Sequence, residues 1–390
     1  MVLIYFGTTG CADSDFPLIR ALQSQGIDVY SYFYVDKYNA SSGLFNIRLK
    51  HCNSIIPAYK YEGLKVYENY LDLNKTFIIN RYYWGRRNFQ YWIYKPLWER
   101  VFRHMRKRQP KILHFTWPLY GEQKILYHLN AKIVQTVHDP FPHSGQYTSE
   151  GEADRIEAFQ HADSLVFLST PQLGPFCMHY NVDKSKVLLN RMGEFDHLKL
   201  LSHSSYNDVN NPYILYIGQI QEHKGIDILL KSMLKLHQSH PEVKLIIAGK
   251  GNFPFDISPY TGLDYIEFRN YYVKVEEMVE LLSCCKFAVC PYKDATQSGV
   301  VQTAFSLNTP LIVTNVGDLP LSVLDGVTGK VVPPCDVDAL ADAMREMIEH
   351  QDLLIGYKEN IERIWKKEQN WTPIAKKYID NYHKLLSNNM

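Results

Sequence analysis

VLIYFGTTGCADSDFPLIRALQSQGIDVYSYFYV, residues 2–35, decides the fold. Its first run, Val2 to Gly7, is short and apolar and ends on glycine, and the polar loop TTGCADSD follows it. Phe16, Ile19 and Leu22 then recur at helical spacing up to Gly26, and IDVYSYFYV reads as a second strand. Strand, loop, helix and strand in one short stretch make a βαβ unit, and strands joined in that way lie parallel.

Outward from this unit the alternation continues. KILHFTW (111–117), AKIVQTVHD (131–139) and DSLVFLS (163–169) are short apolar runs separated by helix-length segments. From Ser202 to Asn211 the chain turns polar and turn-rich, HSSYNDVNN, and Pro212 closes this linker. The alternation then restarts. YILYIG (213–218) precedes a helix with Ile226, Leu229, Leu230, Met233 and Leu234 on one face, and VKLIIAGKG follows as a strand. EEMVELLSCC reads as helix, FAVCPY as strand, PLIVTN as strand, and DVDALADAMREMIEH as an amphipathic helix with Asp336 as its N-cap. The expected fold class is α/β, with two Rossmann-like doubly wound domains. The expected division is 1–205, 206–370 and a final helical segment, 371–390.

Composition agrees. A chain of 390 residues is too long for one ordinary core and suits two domains. Its 46% apolar and 21% charged content is that of a globular protein, and no run approaches the ~18 apolar residues of a membrane span. MVLIYFG lacks the basic start and small-residue cleavage site of a signal peptide, so the expectation is a cytoplasmic protein. Seven scattered cysteines, an odd count without a CxxC pair or a His at finger spacing, argue against a disulfide framework and a structural zinc. The net charge of +1 conceals a local belt from Arg81 to Lys111, basic apart from Glu99 and interleaved with Trp84, Trp92, Trp98 and several tyrosines. Such a belt suits either an anionic membrane surface, giving a peripheral contact, or an ordinary helix with a solvated basic face. No nucleic-acid recognition motif accompanies it.

In an open parallel sheet, ligands bind at the carboxyl ends of the strands, so the loops there are where chemistry is expected. Four stand out: GTTGCADSD (7–15), HDPFPHSG (138–145), GQIQEHKG (218–225) and ATQSGVVQ (295–302). In the last, Ser298 and Gly299 open a helix whose first amides, on Gly299, Val300 and Val301, suit a phosphate; the alternative is a turn in which glycine only relieves strain. Lys224, just ahead of another helix, offers a compact cation to the same phosphate or else is solvated. His138, Asp139 and His143 bend through two prolines and lack the helical spacing of a two-His metal site, so no metal is expected. His138 is better suited to a sugar hydroxyl or to capping the strand end.

The order YILYIGQIQEHKGIDILL, KLIIAGKGN, FAVCPYKDATQSGVVQTAFSLNTPLIVTNVGDLP and DGVTGKVVPPCDVDALADAM resembles the nucleotide-binding domain of retaining glycosyltransferases of family four, densely over about residues 210–350. VHDPFPHSG and HADSLVFLSTPQLGPF extend the likeness into the first half. The resemblance implies the GT-B fold, two Rossmann-like domains facing across a cleft, with the Trp371 segment crossing back to the first domain. It implies a nucleotide-sugar donor as substrate, no cofactor, and a glycan or lipid-linked acceptor. Lys224 matches the lysine that grips the donor diphosphate, whereas Gln219 stands where an arginine is usual. Ala295 and Thr303 stand where two glutamates are usual, with Asp294 adjacent to the first. SGV (298–300) resembles a branch whose amides hold the phosphates, His138 matches the histidine of the family's HD segment, and Gly10 matches a loop that closes over the diphosphate.

The expected catalytic residues are therefore His138, Lys224 and Asp294. The expected donor-binding residues are Gly10, Gly218, Gln219, Lys224, Gly249, Gln297, Ser298, Gly299, Val300, Gln302 and Thr303. Against the enzyme stands a noncatalytic glycan or sugar-nucleotide binder, motivated by Gln219, Ala295 and Thr303. A sugar-nucleotide epimerase would need acids and bases that this carboxylate-poor segment lacks. A dinucleotide oxidoreductase is disfavoured because the first loop is not GxGxxG.

Overall fold

The structure, a computed structural model, describes residues 1–41, 43–82, 91–141, 148–168, 172–201, 213–295 and 299–387, the side chains of 91–94 excepted. The chain divides into two compact units, Met1–Gly193 together with Gln369–Met390, and Glu194–Glu368. The second unit thus begins ahead of the polar stretch expected as the linker, because the turn Asp196–Leu201 belongs with it. There the Phe195 amide donates to Ser306 Oγ at 2.8 Å. The polar stretch itself, 202–212, lies outside the described residues.

The first unit is built on strands β1 (Val2–Thr8), β2 (Asp28–Val35), β3 (Ser54–Pro57), β4 (Thr76–Asn80), β5 (Ile112–Phe115), β6 (Lys132–Val137), β7 (Ser164–Phe167) and β8 (Val187–Leu189). They lie in the order β3-β4-β2-β1-β5-β6-β7-β8, and all neighbours are parallel except β3 against β4. β3 ends on Pro57, which has no amide to give a ladder and so suits an edge. In the second unit β9 (Tyr213–Ile217), β10 (Lys244–Ala248), β11 (Ile266–Arg269), β12 (Phe287–Cys290), β13 (Leu311–Thr314) and β14 (Gly329–Val332) form an all-parallel sheet ordered β11-β10-β9-β12-β13-β14. Helices cover both faces of a parallel sheet, which is why the central strands read as unbroken apolar runs: Ile214, Leu215 and Tyr216 are fully buried. In both sheets the order reverses beside the first strand, between β1 and β5 and between β9 and β12. Ligands bind beyond the carboxyl ends of strands at such reversals.

Several expectations needed correction. Trp98, expected to suit a membrane interface, is 3% exposed inside the helix Tyr91–Arg106, its ring 5.7 Å from Tyr34 and 6.1 Å from Phe6. The helix turns its apolar stripe (Leu97, Trp98, Val101, Met105) inward and leaves Lys95, Arg100, Arg103, Arg106 and Lys107 outside. Trp84 lies outside the described residues, as does the side chain of Trp92. Leu234, expected on the buried face of the helix Ile226–His237, is exposed, because it falls one residue past the stripe set by Leu230 and Met233. No helix among the described residues is long and apolar enough to cross a membrane.

The C-terminal helix Trp371–Ser387 belongs to the first unit and is held there by polar contacts as well as packing. His114 on β5 lies between Tyr382 Oη and Thr136 Oγ1, each 2.7 Å from a ring nitrogen. Asn190 Nδ2 donates to the Ile374 carbonyl (3.1 Å), and Gln25 Nε2 to that of Thr372 (3.0 Å). Burial pushes the His114 imidazole down from 6.5 to about 3, with the charge on His138 adding to the effect. A base whose affinity for a proton falls on folding stabilises the fold above its unfolded value and loses that contribution as pH drops towards the folded one. The first unit is thus expected to lose stability between pH 6.5 and about 3. The share due to His114 is about 1.4 kcal/mol per pH unit. In denaturant titrations across that range, His114→Gln should be less stable than wild type at neutral pH and shallower by one proton's worth. An unchanged slope would mean that His114 is not held neutral.

Candidate functional site

In the second unit the loop after β9 is fixed by its neighbours before any ligand is considered. The Gly218 amide donates to the Ala248 carbonyl (3.0 Å) and the Ile220 amide to that of Lys250 (3.1 Å), which ties this loop to the one after β10. Gly249 has φ +151°, and a Cβ on it would lie 1.7 Å from the Gly218 carbonyl oxygen, so only glycine fits there. Glu222–Lys224 is a single tight turn ended by Gly225, where a Cβ would fall 1.9 Å from the Pro291 oxygen. The loops after β9 and β12 are consequently pressed together. The Lys293 amide donates to the His223 carbonyl (2.8 Å), and Lys293 Nζ pairs with Asp227 Oδ1 (2.9 Å).

This clamp presents Lys224. Its Nζ sits 3.8 Å from the centroid of the buried Tyr292 ring, whose backbone carbonyl accepts from Thr314 Oγ1 (2.6 Å). Among the described residues no carboxylate pairs with this ammonium. Burial holds the Lys224 amine below its ordinary value, against a small opposite influence from Cys290. A half-buried cation with an aromatic face and no counter-ion among the described residues has room for an anion's charge.

The helix Gly299–Ser306 starts on the far side of the same reversal and has no acidic residue in its first turn. Val300 is brought to Gly218: its Cγ2 would be 3.9 Å from a Cβ placed there. Gly299 itself has open space where a side chain would stand, and its backbone needs no glycine. Thr303 is buried, and its hydroxyl donates back to the Gly299 carbonyl at 2.8 Å. Ala295 packs against the core and Asp294 is exposed. Gln219 is exposed, its side chain accepting from Gln221 Nε2 (3.1 Å) and its carbonyl from Tyr216 (2.8 Å). Gln302 is half-buried. Gln297 and Ser298 lie outside the described residues. The structure therefore brings Gly218, Lys224, Gly249, Gly299 and Val300 to one end of one sheet, whereas Thr303 and Ala295 face inward.

In the first unit, Gly10 lies in a tight turn (Thr9–Cys11) between β1 and the helix Ala12–Ser24. It is exposed, and a Cβ there would meet only Thr8 Oγ1 at 3.9 Å, so the chain's own packing does not demand a glycine. His138 follows β6, and its Nε2 is buried without a hydrogen-bond partner. Burial pushes the imidazole down, while the charges of Asp15 and then Asp139 push it up. His143 lies outside the described residues, and among the described ones no group of three or more His, Cys, Asp or Glu gathers as metal ligands.

Asp15 escaped the sequence reasoning, although it stands on the apolar stripe of its helix, four residues before Ile19 and seven before Leu22. Its Oδ1 accepts from Tyr5 Oη (2.8 Å), and Thr116 Oγ1 lies 3.3 Å from Oδ2. Gly7 makes the room: a Cβ there would be 2.4 Å from Asp15 Oδ2. A small cavity lined by Tyr5, Asp15, Thr136, His138, Arg191 and Trp371 joins these groups.

Residues 211–350 match the family described as Glycosyl transferases group 1. That stretch, about a third of the chain, is similar to group 1 glycosyltransferases, and the fold is GT-B. The chain is 24% identical over 154 residues to the alpha-D-kanosaminyltransferase of Streptomyces kanamyceticus, which is 39% of this chain and 40% of that one. The chain thus spans less than half of that curated relative. Among solved structures, the whole chain superposes on sucrose-phosphate synthase from Thermosynechococcus elongatus (TM-score 0.66, 17% identity, 100% of both chains). It superposes likewise on Anabaena Alr3699/HepE in complex with UDP and glucose (TM-score 0.65, 13% identity, 98% of this chain and 100% of that one). At such identities the likeness establishes the GT-B fold, and every strand after β9 falls within the group 1 match.

Proposed function

We propose that the protein is a retaining, metal-independent glycosyltransferase of family four that moves a sugar from a nucleotide-diphosphate donor to a glycan or lipid-linked acceptor, in cell-surface polysaccharide or glycolipid synthesis. The observation that supports it most is Lys224: a partly desolvated ammonium without a counter-ion, at the strand-order reversal and facing the loop that leads into a helix N-terminus free of acids. The donor's diphosphate supplies the missing charge, shared between the ammonium and the first amides of the helix Gly299–Ser306. The solved HepE structure contains UDP and glucose, which fits the same class of donor.

Where the family resemblance leads one to expect carboxylates, this chain offers a methyl at Ala295 and an internally bonded hydroxyl at Thr303. Transfer with retention then proceeds without a protein nucleophile. As the bond from the anomeric carbon to the diphosphate oxygen stretches, the acceptor oxygen approaches from the same face and passes its proton to the leaving oxygen, while the site stabilises the developing charge. His138, with its unpartnered Nε2, is suited to a sugar hydroxyl. The exposed basic side of the helix Tyr91–Arg106 offers a peripheral contact to an anionic membrane that presents a lipid-linked acceptor, at a cytoplasmic location.

Thermal-shift measurements with UDP-, GDP- and ADP-sugars test the donor. A ligand at about a hundred times its Kd contributes about 2.7 kcal/mol. For units of this size that raises the midpoint by roughly 5 °C or more. One base is expected to do so; no shift with any of the three would overturn the reading. The missing carboxylates favour one alternative, a sugar-nucleotide binder that performs no transfer. A shift without release of nucleoside diphosphate in the presence of acceptor glycans would select it.

A further inference from the structure

Asp15 is 1% exposed, and among the described residues no Lys or Arg forms an ion pair with it. An ionised carboxylate in such a place is costly. The hydrogen bonds around it say where a proton resides. The Thr116 hydroxyl has one proton to give but two acceptors in reach, the Phe6 carbonyl at 3.5 Å and Asp15 Oδ2 at 3.3 Å. With a proton on Oδ2, the carboxyl donates to Thr116 Oγ1, Thr116 donates to Phe6, Tyr5 donates to Oδ1, and every group is satisfied. The imidazole of His138 looks into the same cavity with a buried Nε2 that has no partner, and the space there is that of about one water molecule. A carboxyl whose bonds are best satisfied with a proton on it and a ring nitrogen without a partner thus border a single gap.

We propose that Asp15 and His138 form one acid–imidazole unit that holds a single exchangeable proton, with Asp15 as a positioning residue that sets the charge of His138. Passage of the carboxyl proton through a bridging water or ligand hydroxyl to Nε2 leaves a carboxylate and an imidazolium, with no change in net charge. A ligand oxygen that gains from a charged donor draws the proton to His138; an empty site returns it to Asp15. The groups facing the pair are Tyr5 on β1, Cys11 at the helix start, His114 on β5, Asp139 beyond His138, Arg191 beyond β8, and Tyr378 on the C-terminal helix. Burial holds Asp15 well above the ordinary carboxylate range, helped by Cys11 and opposed by His138 and its hydrogen bonds. It holds His138 low, opposed by Asp15. The two therefore titrate as a pair. The consequence for turnover rests on the transferase reading; the unit itself does not.

The test follows the ring of His138 by NMR in the full-length protein labelled at histidine, with its signal assigned by its loss in His138→Gln. In Asp15→Asn, which keeps the shape and the acceptor for Tyr5, protonation of the ring is expected to move down by about one pH unit, tenfold in proton affinity. Tyr5→Phe, which removes the donor that favours the carboxylate, should move it in the same direction by less, and it decides the matter if Asp15→Asn does not fold. Identical ring titrations in wild type and variants overturn the proposal. A shifted titration in a protein that transfers no sugar upholds the unit and refutes the transferase reading. If transfer occurs, its acid limb is expected to move with the ring in Asp15→Asn, and an unmoved limb overturns the role of Asp15 in turnover.

Discussion

Lys224→Ala is expected to lower the transfer rate at saturating donor by roughly 10²–10³-fold, the usual effect of removing one preorganised stabiliser of developing charge. The fold should hold, because the ammonium has no ion pair to lose among the described residues and its stacking on Tyr292 is worth about 1 kcal/mol. Lys224→Arg should restore only part of the rate, since a guanidinium can stack on the same ring but spreads its charge over a larger plane than the ammonium does. The measurement is release of nucleoside diphosphate under single-turnover conditions, with the donor identified by thermal shift. Near wild-type rates in Lys224→Ala would remove the basis for the diphosphate assignment.

The second large effect belongs to two glycines that look equivalent in the sequence. At Gly249 a Cβ would lie 1.7 Å from the Gly218 oxygen on a backbone at φ +151°, so Gly249→Ala must separate the loops after β9 and β10. A loss of about 4 kcal/mol or more is expected, together with donor binding. At Gly299 nothing lies within 4 Å of the added carbon, and alanine favours a helix by about 1 kcal/mol. Gly299→Ala should leave stability unchanged or raised while weakening the donor at least tenfold, because its methyl stands where phosphate oxygens approach the amides. Unfolding curves and donor titrations of both variants separate the two roles. If Gly299→Ala binds donor as wild type does, that helix start does not hold the phosphates.

What the sequence made legible follows from periodicity and punctuation. Short apolar runs ending in glycine marked β1, β9 and β10, and Asp336 capped its helix as expected, its side chain accepting from the Asp338 and Ala339 amides. Lys224 and Gly299 were visible because strand-then-helix boundaries collect ligands in a parallel sheet. Partners distant in the chain were hidden. Nothing local in KILHF connects His114 with Tyr382, because that contact exists only after β5 and the last helix meet. Trp98 was misjudged because a basic, aromatic stretch has the same composition whether its rings face lipid or a core; only the stripe through Leu97, Val101 and Met105 distinguishes them. Asp15 gave a readable signal, an acid on an apolar stripe, whose meaning depended on the gap left by Gly7.

The connectivity of the two units fixes an order of events during synthesis. Glu194–Glu368 is one continuous stretch, while the first unit, with its eight-stranded sheet, is finished by residues from Gln369 onward. On the ribosome, β1 to β8 emerge long before Tyr378 and Tyr382, and until those arrive His114 lacks the hydroxyl of Tyr382 and Thr136 that of Tyr378. The unit translated first is thereby the one completed last, after the whole continuous stretch of the second unit has emerged and is free to fold.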